Sequence, residues 1–186
     1  VKLGRCIGSQ GRLCFLYSNG IGMHGIIKNL IYSSLFYDLT CTDYYFQAVG
    51  SGTGAIAAWE ANLRFIEDGR FGSHKAKIYV SQNRPFVPMY DAWKQDSRDM
   101  LPYDTDQARI DANSVVAKVL TNRKPPYSIA GGLYDAMKDS DGDFFAVTNE
   151  EAEQAGRLFD PMSQCHFPEL DIVASLLGRQ LQQIQD

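Results

Sequence analysis

Residues Tyr44–Ala61 read YYFQAVGSGTGAIAAWEA, and this stretch decides the fold. Tyr44–Val49 is rich in aromatic and β-branched residues, the composition of a buried strand. Gly50–Gly54 places glycines at alternate positions with Ser51 and Thr53 between them. From Ala55 to Glu67 the apolar residues recur at helical spacing, and Asp68-Gly69 supplies a stop. A strand that runs through a glycine-rich loop into a helix aims backbone N–H groups and a helix N-terminus at one point. That geometry suits an anion.

Residues 55–58, at the start of the helix, narrow the identity of the anion. A P-loop requires Lys and then Ser or Thr at the start of the helix. Here the helix begins Ala55-Ile56-Ala57-Ala58, which argues against an ATPase or GTPase. Gly50-x-Gly52-x-x-Ala55 fits the letters of a dinucleotide fingerprint. However, the end of the next strand holds Ser81, Gln82 and Asn83 where an acid should meet the ribose. Arg84 is the one residue there that suits a 2′-phosphate. A compact monophosphate, chiefly that of pyridoxal phosphate, is the third candidate, and a tight turn without a ligand is the fourth.

Outward from the loop, strand patterns occur at Leu13–Tyr17, Lys77–Ser81 and Asp143–Val147. Helix patterns occur at Ile26–Phe36, Met89–Lys94, Asp106–Leu120, Leu133–Lys138, Thr148 to about Phe159, and Glu169–Gln183. Thr148 reads as an N-cap, with Glu150, Glu151 and Glu153 in the turn behind it. Strands alternating with helices give an α/β class with a mainly parallel sheet and flanking helices. The strands are few for the number of helices, which suggests one part of a larger unit.

Bulk properties exclude several functions. The 186 residues suffice for one domain with a real core. A net charge of −4 with scattered basic residues speaks against a nucleic-acid binder. The apolar run Ile26–Tyr37 is interrupted by Lys28 and Asn29 and falls short of the roughly 20 residues a membrane span needs. Cys6, Cys14, Cys41 and Cys165 form no CxxC pair, so a reducing, cytoplasmic setting is expected. Asp139, Asp141, Asp143 and Glu150 occupy EF-hand positions, but Phe144 stands where the turn needs glycine, so a polar turn is expected and no metal. His24, His74 and His166 lack ligand spacing. Cys165 and His166, adjacent on an extended chain, would face opposite ways. Trp59 and Trp93 read as packing anchors.

The segment 44–72, together with VSQNRPFVPMYDAW (80–93), VLTNRKPPYSIAGGLYDAMKDSDG (119–142) and VTNEEAEQAGRLFD (147–160), resembles fold-type-II pyridoxal-phosphate enzymes of the threonine synthase group. Within that group it is most similar to the cysteate synthases. The resemblance covers roughly residues 44–160. It implies a tryptophan synthase β-like fold and a pyridoxal 5′-phosphate cofactor whose phosphate sits on Gly50, Ser51, Gly52, Thr53 and Gly54. Gln82 and Asn83, expected just after the second strand, are candidates to line the same cleft toward substrate.

The implied reaction is a β-replacement on a small phosphorylated amino acid, O-phosphoserine plus sulfite giving cysteate and phosphate, within coenzyme M biosynthesis. Threonine synthase activity on O-phosphohomoserine is the alternative in the same class. A non-catalytic fragment that binds phosphate or a partner is the alternative outside it. Family members hold the cofactor through a lysine upstream of the loop. The lysines there are Lys2 and Lys28, neither in the family's sequence context, so no catalytic residue is assigned. Residues 1–40 match poorly. The expected organisation is therefore an N-terminal segment (1–40) and a phosphate-binding domain (41–186), the C-terminal half of a longer enzyme. Near the C-terminus, Pro168 and the Val173–Leu177 run match the family, whereas Glu169 and Leu170 replace its small residues. By analogy the enzyme is a homo-oligomer.

Overall fold

The computed structural model describes the backbone of residues 3–8, 11–16 and 43–163, and side chains from 43 to 157. Five strands form one sheet in the order β1 (Leu3–Gly8), β2 (Gly11–Leu16), β3 (Tyr44–Ala48), β4 (Lys77–Asn83), β5 (Asp143–Val147). β1 and β2 pair antiparallel, with Leu3 opposite Leu16 and Gly8 opposite Gly11. β2 and β3 pair parallel, with Leu13 opposite Tyr44. The remaining pairs are parallel too. Lys77 N donates to Asp43 O (2.9 Å) where β3 and β4 begin, and Val49 N donates to Ser81 O (2.8 Å) toward their ends. Arg84 N donates to Val147 O (2.8 Å) where β4 and β5 end. The mixed α/β class with a mainly parallel sheet is thus observed. β1 was not anticipated, and the expected helices at 26–36 and 169–183 lie outside the described residues.

Five helices are described: α1 (Thr53–Asp68), α2 (Pro88–Lys94), α3 (Thr105–Ser114), α4 (Leu133–Asp139) and α5 (Asn149–Ser163). Contacts sort the chain into two units. One holds the chain through Gln47, Gly52–Tyr79 and Ile129–Asp143. The other holds Ala48–Ser51, Val80–Ser128 and the chain from Phe144 onward.

In the first unit, Tyr79 stacks on Tyr44 at 5.9 Å and tilts against Phe46 at 5.3 Å. α1 buries Ala55, Ala57, Ala58 and Ala61, small residues that allow close approach. It stops at Gly69, whose φ of 77° is the left-handed geometry of a helix C-terminus. Beyond the stop, buried Asn62 ties the loop down: its amide donates to His74 O and accepts from Ala76 N. α4 presents fully buried Leu133, Ala136 and Met137. Trp59 does more than pack, because its indole N–H reaches Asp139 Oδ2 on α4 at 2.7 Å.

The second unit is organised by amides. Asn83 Nδ2 donates to Val147 O and Asn149 Oδ1, and Asn83 Oδ1 accepts from Ala117 N. Asn149 Oδ1 also accepts from Val116 N. These bonds explain one departure from expectation. The helix expected over Asp106–Leu120 ends at Ser114, Val115 turns extended (φ −71°, ψ 149°), and only a 3₁₀ turn follows at Lys118–Leu120. The N–H groups of Val116 and Ala117 are taken by side-chain amides, and Val115 is buried with Phe86 and Ala108. Tertiary contacts outweigh the helical propensity of the segment. Strand β4 departs in the other direction, since it runs to Asn83 and Gln82 and Asn83 lie inside it rather than after it.

Among the described residues no helix is long and apolar enough to cross a membrane.

Candidate functional site: a glycine loop at a helix N-terminus

The loop forms where β3 ends. Gly52, at φ 79°, is the N-cap of α1, so the helix begins two residues earlier than its apolar pattern suggests and includes Thr53 and Gly54. Ile56 N donates to Gly52 O at 3.0 Å. The N–H groups of Gly54 and Ala55 therefore have no intrahelical acceptor. No side chain caps this end and no acid sits in the first turn. The first turn of this 16-residue helix therefore supplies no acid of its own to its positive dipole end.

A side chain at any of the three would force a neighbour to shift, and at Gly50 that neighbour is backbone. A Cβ on Gly50 would lie 2.9 Å from the Leu120 Cα. One on Gly52 would lie 2.6 Å from Leu133 Cδ2, and one on Gly54 2.5 Å from the Gln47 amide. Gln47 is itself oriented by the Tyr45 hydroxyl, 3.1 Å from its Oε1. Thr53 is exposed and Ser51 half-buried, which puts both hydroxyls within reach of solvent. Backbone donors, two hydroxyls and a dipole end make a donor set that fits a phosphate.

Gln82 and Asn83 occupy a different kind of place, buried to 1% and 3% exposure. Gln82 Oε1 accepts from Met89 N (3.0 Å) and Tyr90 N (3.1 Å), which fixes the amide and fastens the start of α2. That orientation leaves Gln82 Nε2 buried without a hydrogen-bond partner, as is Ser81 Oγ. Successive side chains on a strand point to opposite faces, so the two unsatisfied groups face different sides of the sheet. Unsatisfied buried polar groups are few in native folds and mark places to look for a ligand or a water. In the sequence Ser81 counted only against a dinucleotide site, not as a site residue of its own. The signal available was three polar residues in a row closing an otherwise apolar strand.

The acidic run after α4 is committed elsewhere. Asp139 pairs with Lys75 at 2.9 Å, and Asp141 pairs with Lys77. The Trp59 indole, and then Lys75, hold the Asp139 carboxyl below the usual carboxylate range. Among the described residues no group of three or more His, Cys, Asp or Glu is placed to hold a metal. His74 lies 3.3 Å from Asp43, while His24, Cys165 and His166 lie outside the described residues.

No protein-family model matches the chain. The strand, glycine loop and helix lie in this order on a mainly parallel sheet, an arrangement found in the fold-type-II class of pyridoxal-phosphate enzymes. The crystal structure of a threonine deaminase from T.th. has the same fold, with a TM-score of 0.53 at 11% identity over 86% of this chain and 51% of that one.

Sequence relatives are more particular. Cysteate synthase of Methanosarcina mazei is 52% identical over 134 residues, 72% of this chain and 32% of that protein. The Methanosarcina acetivorans cysteate synthase is 56% identical over 121 residues, 64% and 29% respectively. That of Methanocella paludicola is 52% identical over 119 residues, 63% and 28%. Over this stretch the chain is homologous to the cysteate synthases, and it spans about a third of the length of these curated relatives.

Proposed function

We propose that this chain is the cofactor-phosphate-binding part of a pyridoxal-phosphate enzyme that carries out β-replacement on O-phosphoserine, with sulfite as the incoming nucleophile, as cysteate synthase does. The observation that carries the reading is the Gly50–Gly54 loop: a helix N-terminus with no side-chain cap and no acid in its first turn, whose glycines sit against close neighbours. It lies in a segment about half identical to cysteate synthases.

When bound, pyridoxal phosphate acts as an electron sink for a carbanion at the amino acid's α-carbon. The chain's own residues would do the following. The N–H groups of Gly54 and Ala55, with the hydroxyls of Ser51 and Thr53, would hold the phosphate, and the α1 dipole would balance its charge. Gln82, whose carbonyl is locked to α2, keeps one amide N–H for a substrate oxygen. Asn83 has its carbonyl and its amide N–H engaged by backbone and Asn149, and it would hold the segment carrying Ala117 in register.

The test is to mix the purified chain with pyridoxal phosphate and follow the visible spectrum. Borohydride reduction and peptide mapping then locate any lysine that retains the cofactor. Saturable binding competed by inorganic phosphate and abolished by Gly52→Val is expected. Binding indifferent to both would end the reading. Assays of O-phosphoserine with sulfite against O-phosphohomoserine separate the cysteate from the threonine synthase reaction.

A further inference from the structure

The second unit holds a feature that the phosphate loop does not use. An open cleft of about 840 Å³ lies over buried Phe86 and Ala108, with Tyr103 on its wall. The Tyr103 hydroxyl is committed to Asp111, and its ring stands edge-on to Phe86 at 6.0 Å. What Tyr103 offers the cleft is therefore ring surface. On the rim, Val119 is 71% exposed, the most exposed large apolar residue described.

The opposite character comes from the adjoining turn, which sets Arg123 and Lys124 on the same cleft. Asn122 Oδ1 accepts from Lys124 N at 2.9 Å and Thr121 Oγ1 donates to Lys118 O at 2.8 Å, so the turn is built rather than loose. Neither cation has an ion-pair partner among the described residues, and no acidic side chain lines the cleft. On α3, which borders it, Asp111 is also held by Gln107 and Asp104 caps its own helix. In a chain of net charge −4, the lining of this cleft thus carries two cations and no acid.

We infer that this cleft is a binding site for a small amphiphilic anion, one with an apolar ring body carrying a sulfonate or phosphate. The volume lies in the range of small-molecule sites, which are mostly apolar with a few placed polar groups. The ring body packs on Phe86, Tyr103 and Val119, and the anionic head meets Arg123 and Lys124. The site shares no lining residue with the proposed cofactor loop, although Leu120, between Val119 and Thr121 of the lining, packs on Gly50.

The test uses the 186-residue chain and two fluorescent probes that share one body: 8-anilinonaphthalene-1-sulfonate and its neutral counterpart N-phenyl-1-naphthylamine. The sulfonate is expected to bind saturably at one site and to be displaced by 2-naphthyl phosphate. The neutral probe should bind about tenfold more weakly. The double variant Arg123→Gln/Lys124→Gln should lower the sulfonate's affinity about tenfold and leave the neutral probe unchanged. Arg64→Gln/Lys138→Gln, which removes the same charge elsewhere, should change neither. Thr105→Trp, filling the cleft from the first turn of α3, should displace both, with an unchanged thermal melt confirming the fold. The inference is overturned by absent sulfonate binding, by equal affinity for both probes, or by retained sulfonate affinity in the double variant. Loss of binding with Gly52→Val alone, or a fall with rising protein concentration that tracks self-association, overturns it as well.

Discussion

At the scale of single residues, two glycines with almost the same backbone torsion have different reasons to be glycine. Gly52 (φ 79°) and Gly69 (φ 77°) both sit in the left-handed region, at the start and end of α1. A Cβ at Gly69 meets nothing within 4 Å, whereas one at Gly52 lies 2.6 Å from Leu133 Cδ2. Gly69→Ala should therefore cost only the torsional penalty, about 1–2 kcal/mol. Gly52→Ala adds the displacement of a fully buried leucine and should cost about 2–4 kcal/mol. Chemical denaturation of both variants checks the order, and equal losses would refute the packing argument. Asn83→Ala is expected to cost about 1–3 kcal/mol, because it strands the buried N–H of Ala117, while the carbonyl of Val147 keeps its bond from Arg84 N. The glycines were legible in the sequence, since their number and spacing have few uses besides a loop of this kind. The roles of Asn83 and Gln82 were not. Their partners, Ala117, Val147, Met89 and Tyr90, are set by chain folding rather than by local pattern, and an amide's residue type does not tell whether it faces a ligand or a backbone.

At the scale of elements, local signals held where the chain satisfies itself and failed where another element intervenes. α5 is a case of the first kind. Thr148 Oγ1 accepts from Glu151 N (3.2 Å), the N-cap that the sequence announces, and Glu151 Oε2 accepts in turn from Thr148 N (2.9 Å), which closes a reciprocal capping box. Thr148→Ala should destabilise by about 1 kcal/mol, read as a lower denaturation midpoint with unchanged slope. The end of α3 is a case of the second kind, because Asn83 and Asn149 take N–H groups that a longer helix would have used.

Between α1 and α4, the Trp59–Asp139 bond gives a pH signature. The Asp139 carboxyl lies below its ordinary range, first because of the Trp59 indole and then because of Lys75. A depressed folded-state pKa adds stability that is fully present above the unfolded value. That stability is lost as pH falls through the folded one. Trp59→Phe should therefore lose most against the wild type at neutral pH, and the gap should narrow as pH falls below the usual carboxylate range. A gap that stays constant with pH would assign the loss to packing instead.

For the whole molecule, the homology and the fold speak at different resolutions. An 11% identical structure shares the fold over 86% of the chain, while cysteate synthases at about half identity match 63–72% of it. The fold is thus shared more widely than the sequence, and the loop at the start of α1 is read from this chain's own geometry. On the proposed reading, the loop should work as a thermodynamic anion site in this chain. A ligand that binds only the native state raises stability by about 2.7 kcal/mol at a hundredfold excess over its Kd. For a chain of this size that is a rise in Tm of roughly 5–10 °C. Pyridoxal phosphate and, at higher concentration, inorganic phosphate should both raise Tm, whereas chloride at matched ionic strength should not. In Gly52→Val the baseline Tm falls and the phosphate increment disappears. If chloride reproduces the shift, the effect is general screening of a net-negative chain. If Gly52→Val keeps the increment, the anion binds somewhere other than the N-terminus of α1.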